Sequence, residues 1–242
     1  MNQNIRNILI SIFGILVFAV LFSGGKGDAP SAMALGNRYF NGPEYDLVKA
    51  EEAFQRAVRI DPKILFGHYQ LARIYFLKSD SKNALKEINL ELEKNPQNLR
   101  SLYIRGLIYG YSNKLPEAEA DFRNFIAWVP REWAGYNDLL WILMQQEKYE
   151  EAKKMVAVAF AEATDAETNP WLWNMRGAAE LNLKEYAVAK ISFTRAKALA
   201  ESLTLQDWQN AYPGNNSGEA AGGLAAFRRA IDENLHRAER GI

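Results

Sequence analysis

The sequence predicts an all-α protein in which a helix–turn–helix unit recurs about five times and further helices cap the C-terminal end. Proline recurs every 34 residues at Pro62, Pro96 and Pro130, and a fixed period of that length is typical of stacked repeat proteins. Small and large apolar residues return in the same order before each proline. A stretch of 19 uncharged residues, 7–25, precedes these units and predicts one N-terminal transmembrane or signal helix.

The N-terminal stretch is interpreted as an uncleaved membrane anchor with a tether, together residues 1–28. As a helix, its 19 residues span about 28 Å, close to the roughly 30 Å of a bilayer's hydrocarbon core. A cleaved signal peptide is the alternative, with the serine and two glycines of residues 23–25 as its exit. Arg6 precedes the stretch, whereas Lys26 is offset by Asp28, so the charge bias favours a cytoplasmic N-terminus. We therefore expect a single-pass membrane protein with a periplasmic body, or a secreted or periplasmic protein if the N-terminus is cleaved.

Each of the first three units carries a small residue and a tyrosine on its predicted first helix, then an alanine and a large apolar residue on its second. In the third unit these are Gly106 and Tyr109, followed by Ala118 and Phe122, and Pro130 closes the unit. Small residues let two helices approach closely while the large side chains fill the space beside them. The proline cannot continue the second helix and so sets the turn into the next unit.

This arrangement resembles the tetratricopeptide repeat (TPR) family of 34-residue helix–turn–helix units, and the resemblance covers residues 29–203. It implies a right-handed superhelix of about five units. Two units depart from the family pattern. Thr164 stands where the closing proline of the fourth unit is expected, and three extra residues precede the fifth unit, whose pattern returns at Gly177 and Phe193.

Residues 204–242 lie beyond the repeats and predict C-terminal capping helices. A helix from about residue 219 to 240 places four apolar side chains on one face: Leu224, Phe227, Ile231 and Leu235. A solenoid needs a cap over the apolar surface of its last unit. We interpret Trp208 and this helix as that cap, and a docking helix for a partner protein is the alternative.

Composition excludes several classes of function. The 242 residues include 48% hydrophobic and 24% charged residues with no net charge, which is ordinary for a globular protein and argues against nucleic-acid binding. The absence of cysteine excludes disulfides, thiolate metal ligands and cysteine nucleophiles. With only His68 and His236 in the chain, a multi-histidine metal site is excluded as well. We therefore expect no metal and no cofactor.

We find no catalytic motif in the sequence. His68 falls at a core position of the second unit, and His236 lies on the charged C-terminal helix. Neither a glycine-rich phosphate loop nor a Gly-x-Ser-x-Gly nucleophile motif is present. The sequence therefore predicts a protein that is not an enzyme.

A TPR stack implies a concave groove lined by the first helices of its units, and the register assigns eleven residues to it. These candidates are Tyr69, Arg73, Phe76, Arg100, Tyr103, Leu107, Asn137, Trp141, Met144, Trp171 and Asn174. Aromatic rings supply contact area and amides pair with peptide groups, so we expect a peptide or helix segment of another protein to bind there. The lysine, asparagine and arginine clamp with which some TPR proteins bind a terminal carboxylate is not found in register.

The sequence as a whole predicts a membrane-tethered TPR scaffold or adaptor that binds another protein. Resemblance to short, anchored bacterial repeat proteins suggests assembly of an envelope complex, for example in cytochrome c maturation, secretion or pilus biogenesis. The alternative is an extracytoplasmic carrier of a small molecule or glycan in the same groove. An enclosed apolar pocket with convergent polar groups would favour the carrier, whereas an open groove over three units would favour a peptide binder.

Overall fold

The structure is a computed structural model and describes residues 27–212 and 217–242. All regular secondary structure in those two ranges is helical, which confirms the all-α prediction for this part of the chain. The α-helices are α1 (Ala29–Asn41), α2 (Leu47–Ile60), α3 (Gly67–Leu77), α4 (Ser81–Lys94), α5 (Leu99–Tyr111), α6 (Leu115–Trp128), α7 (Trp133–Gln145), α8 (Tyr149–Glu162), α9 (Pro170–Asn182), α10 (Tyr186–Glu201), α11 (Leu205–Ala211) and α12 (Ala220–Arg240). Short 3₁₀ helices, Ala166–Thr168 and Ser217–Glu219, precede α9 and α12.

The first ten helices form five pairs, because each odd-numbered helix packs against the helix that follows it. The second helix of each pair also packs against the first helix of the next pair, which joins the pairs into one stack. In addition α3, α5, α7 and α9 contact one another in that order. The first helices of these units therefore lie side by side and share one face of the stack.

The first helices of units two to five end in the same way although their sequences differ. The residue two positions after each helix has a left-handed backbone, with φ of 59° at Ser79, 57° at Asn113, 58° at Glu147 and 62° at Lys184. The next backbone N–H then donates to a carbonyl in the last turn of the helix, as from Lys148 to Leu143 at 2.9 Å. Such Schellman-type endings are usually closed by glycine. In units two to five the tight turn between the two helices forms without a glycine.

Close contact between the two helices of a unit depends on a glycine facing a phenylalanine ring. A Cβ atom on Gly36 would lie 2.5 Å from the ring of Phe54, and one on Gly177 would lie 2.7 Å from the ring of Phe193. Both rings are fully buried. Since real Cβ atoms do not approach a ring so closely, the first and fifth units can only pack in this way with glycine on the first helix.

The insertion before the fifth unit is ordered. The backbone N–H of Thr164 donates to the carbonyl of Arg131 at 3.0 Å, which ties the insertion to the turn before α7. Asp165 has a left-handed φ of 57° and turns the chain into the first 3₁₀ helix. The side chain of Asn169 then accepts a hydrogen bond from the backbone N–H of Leu172 at 3.0 Å and starts α9.

The last helix, α12, packs along α10 and covers the apolar face of the fifth unit. Ile231 is completely buried against Ala196 and Ala200 of α10. The guanidinium group of Arg228 donates to the carbonyl oxygen of Ala200 at 3.0 Å and to that of Leu203 at 2.9 Å. Carbonyls at a helix end have no partner within the helix, so Arg228 completes the end of α10 while Ile231 closes the core.

The predicted membrane-spanning stretch, residues 7–25, lies outside the described residues. Among the helices that the structure does describe, none combines the length and the apolar character needed to cross a bilayer.

Candidate binding groove

The shared face of α3, α5 and α7 carries nine of the eleven side chains predicted for the groove, and we call this face the open groove. Six of the nine are partly buried and pack against the hydrophobic cores beneath this face: Tyr103, Leu107, Trp141, Met144, Tyr69 and Phe76. They therefore support the floor of the groove. Of the other three, Arg73 and Asn137 are partly exposed and Arg100 is exposed.

Arginine marks the end of the open groove that lies on the second unit. The guanidinium carbon of Arg73 lies 4.4 Å from the ring centre of Phe40 and 5.6 Å from that of Tyr69. Its Nη1 atom donates to Oε1 of Gln70 at 2.9 Å. Burial lowers the pKa of Arg73, and the positive charge of Arg100 lowers it further. Arg73 is therefore held over the rings of Phe40 and Tyr69 by cation–π contacts.

Three aromatic rings form a ladder along the open groove, one from each of units two, three and four. The ring centres of Phe76 and Tyr111 are 5.4 Å apart, and those of Tyr111 and Trp141 are 4.9 Å apart. Tyr111 is 69% exposed. The sequence register assigned Phe76 and Trp141 to the groove and missed Tyr111, which ends α5. The feature that could have identified Tyr111 is an exposed aromatic residue in the last turn of a first helix.

A carboxylate, Asp138, lies next to this ladder. The hydroxyl of Tyr103 donates to its Oδ2 atom, and the side-chain amide of Asn137 donates to its Oδ1 atom at 3.1 Å. Burial raises the pKa of Asp138 to about 6, although both hydrogen bonds act to lower it. Burial and the charge of Asp138 also raise the pKa of Tyr103. The register missed Asp138, because a single carboxylate on a helix is usually a solvated surface charge.

The fifth unit does not contribute to the open groove. Trp171 was predicted to line it but is only 6% exposed, because residues of the C-terminal segment cover its ring. The ring centre of Phe227 lies 5.5 Å away in a stacked arrangement, and that of Trp208 lies 6.2 Å away. Its Nε1 atom donates to the hydroxyl of Tyr212 at 2.9 Å. On its other side the ring stacks on Trp133 at 5.0 Å.

Asn174, the second candidate from the fifth unit, is 8% exposed. Its Oδ1 atom has no hydrogen-bond partner among the described residues. The prediction of a groove continuing over unit five is therefore corrected: α11, Tyr212 and the start of α12 fill that end. The register could not reveal this, because the covering residues lie about 40 positions further along the chain.

Groups with catalytic or metal-binding potential are few in the described part of the chain. His68 and Glu87 form a pair, Nδ1 to Oε2, at 2.7 Å. Both side chains are about nine-tenths buried between α3 and α4. No group of three or more histidine, aspartate or glutamate side chains that could hold a metal ion occurs in residues 27–212 and 217–242.

Comparison with known proteins shows the fold. No protein-family model and no curated protein sequence matches the chain. Among solved structures, PilW, described as a widely conserved type IV pilus biogenesis factor, is 17% identical with a TM-score of 0.63, over 86% of this chain and 96% of PilW. MamA is 14% identical with a TM-score of 0.62, over 76% of this chain and 95% of MamA.

A thermophilic TPR protein of Thermus thermophilus is likewise similar, at 14% identity and a TM-score of 0.54, over 82% of this chain and 98% of that protein. The chain has the TPR fold. The resemblance seen in the spacing of the prolines is thereby supported at the level of fold. The open groove is accordingly the inner, concave face of a TPR stack.

Proposed function

We propose that this TPR protein is a non-enzymatic, membrane-tethered scaffold that binds a segment of another protein in its open groove. The observation that carries the proposal is the aromatic ladder of Phe76, Tyr111 and Trp141, which runs across three units on the concave face. Large aromatic side chains are enriched where proteins bind one another, because they bury much area at a low cost in conformational entropy.

The width of the ladder favours a peptide or helix over a small molecule. The three rings come from three successive units, and Tyr111 is largely exposed. A small-molecule site usually encloses most of its ligand within a concave apolar pocket. An extended segment can instead contact each ring in turn, as recognition across neighbouring repeats requires.

The cellular role follows from the predicted anchor and from the similar proteins. The uncharged stretch of residues 7–25 would hold the repeats at a membrane, and the charge bias around Arg6 would place them on its extracytoplasmic side. PilW, one of the similar structures, is a pilus biogenesis factor. We infer that this chain brings together the subunits of an envelope or membrane complex.

Site-specific photocrosslinking in the native membrane tests the proposal. A photoreactive phenylalanine analogue replaces Tyr111 in the open groove or, as the matched control, Ile191 on α10, which is 67% exposed. We expect one protein to crosslink from position 111 and not from position 191. A protein that crosslinks from position 191 and not from position 111 would place binding on the outer face and overturn the proposal.

A further inference from the structure

Asp138 lies where units three and four meet the C-terminal segment, and we call the residues around it the Asp138 cluster: Asp138, Tyr103, Tyr111, Trp141 and Tyr212. Tyr103 of unit three donates to the carboxylate, and the rings of Tyr111 and Trp141 are 4.9 Å apart. Tyr212 is held in place by the indole N–H of Trp171. Trp141 follows Asp138 by three positions on α7, about one helical turn away. Burial raises the pKa of Tyr111 and of Tyr212, and the charge of Asp138 acts in the same direction.

The carboxylate of Asp138 has neutral hydrogen-bond donors and no ion pair among the residues that the structure describes. Other shielded carboxylates of the same units are paired with cations. Asp121 accepts two hydrogen bonds from the guanidinium group of Arg105, at 2.7 and 2.8 Å, and Glu119 accepts from Lys148 and Arg123. A buried carboxylate is costly unless a cation compensates it. Asp138 therefore has a charge to which an incoming cation is complementary.

The aromatic members of the cluster favour the same class of ligand. The face of an aromatic ring attracts ammonium and guanidinium groups, and tryptophan and tyrosine are the most effective rings. The open groove already uses this contact once, where Arg73 lies over Phe40. Tyr111 and Trp141 present such rings near Asp138; among the described residues Tyr111 is exposed and Trp141 is partly exposed.

We propose that the Asp138 cluster binds a lysine or arginine side chain of the partner segment. The carboxylate forms an ion pair with the cationic group, while Tyr111 and Trp141 contact the aliphatic stem and the charge. This inference rests on the proposed function and deepens it, since it states the chemistry that the partner must present at unit four. It predicts a basic residue at one fixed position of any segment that occupies the open groove.

Selection from a phage-displayed library of random twelve-residue peptides tests the inference. The full-length chain in detergent micelles is the target, as wild type, as Asp138→Asn, and as Glu150→Gln, an exposed carboxylate on the outer helix α8. Asparagine keeps the size of the side chain and can still accept from Tyr103. We expect lysine or arginine at one aligned position in peptides selected by wild type and by Glu150→Gln, and no such preference with Asp138→Asn.

The best peptide is then synthesised with its basic residue and with norleucine at that position. Replacement by norleucine should weaken binding to wild type by about tenfold or more, and to Asp138→Asn by less than about twofold, because charge pairs in interfaces couple by about 1.5 kcal/mol or more. Tyr111→Ala should weaken binding of the basic peptide by about twofold to fivefold through loss of the cation–π contact.

The outcomes separate the inference from the function on which it rests. Peptides that bind in the open groove without a basic residue, or that keep the basic residue with Asp138→Asn, would overturn the inference alone. If neither Tyr111→Ala nor Trp141→Ala weakens the binding of any selected peptide, the groove does not bind peptide segments. The proposed function then fails together with the inference.

Discussion

At the scale of single residues, the charge of Asp138 affects both the stability of the fold and the proposed binding of a cation. Burial raises its pKa to about 6 from an ordinary value of 3.8. The folded chain therefore binds the proton more tightly than the unfolded chain does. The resulting stabilisation is complete below about pH 4 and is lost as the pH rises through about 6. At neutral pH the ionised carboxylate no longer contributes this stabilisation.

Asp138→Asn should therefore raise the free energy of unfolding at pH 8 by about 1–3 kcal/mol and change it little at pH 4. The phenols that face Asp138 do not titrate in this range, because the pKa of Tyr212 is raised to about 12 and those of Tyr103 and Tyr111 are raised as well. Thermal melts at both pH values measure the effect. A variant less stable than wild type at pH 8 would contradict the assignment.

Residues with a left-handed backbone conformation offer a second test at the scale of single residues. Glu147 closes α7 with φ of 58°, a conformation that costs a non-glycine residue about 1–2 kcal/mol. Glycine relieves that cost but loses more backbone entropy on folding, about 0.5–1 kcal/mol. Glu147→Gly should therefore stabilise the chain by about 0.5–1 kcal/mol, whereas Glu147→Ala should not. Urea unfolding measures both, and a destabilised glycine variant would show that the left-handed turn is wrong.

At the scale of elements, the helix pair is the unit that the sequence specifies best. Ala118 of α6 is fully buried between the helices of units three and four, whereas Ala120, two residues later, is exposed. Ala118→Leu should destabilise the chain by about 1–3 kcal/mol, because the added carbons have no space in a packed core. Ala120→Leu is the matched control and should change stability by less than about 0.5 kcal/mol. Equal melting curves for the two variants would show that α6 is rotated.

The helices and their pairing could be predicted because their causes are local. The period of the prolines, the small residues and the apolar register all lie within one unit, and the structure confirms a helical repeat in the described residues. The site was only partly predictable, since its properties depend on distant residues. Trp171 holds an inner-face position by register, yet Trp208, Tyr212 and Phe227 pack against its ring and bury it. Asp138 looked like an ordinary helix charge until Tyr103, 35 positions away, was placed against it.

At the scale of the whole molecule, the C-terminal segment completes the stack at the fifth unit. Ile231 is fully buried against α10, so Ile231→Ala should cost about 2–5 kcal/mol. Because a repeat stack transmits stability between neighbours, the loss should be largest in α9, α10 and α12 and smallest in α1 and α2. Hydrogen exchange resolved by helix measures this gradient. Uniform acceleration of exchange in all units would mean that the stack unfolds as one body.

Among the described residues, the same segment covers the concave face at unit five and leaves it open at units two to four. Units two to four present the aromatic ladder, while α11 and Tyr212 cover Trp171 in unit five. A partner segment is therefore expected to bind along three units and to end against the covered part. The Asp138 cluster lies at that boundary, since it includes both Tyr103 of unit three and Tyr212 of the covering segment.

The central claim, that partners bind in the open groove, is tested most directly by hydroxyl-radical footprinting of the full-length chain with and without a crosslinked partner or selected peptide. Oxidation is measured at Tyr111 and Trp141 in the groove and at Trp128 and Ile191 on second helices, both of them exposed. Binding should reduce oxidation of Tyr111 and Trp141 severalfold and leave Trp128 and Ile191 unchanged. Protection of Trp128 and Ile191 with continued oxidation of Tyr111 and Trp141 would contradict the claim.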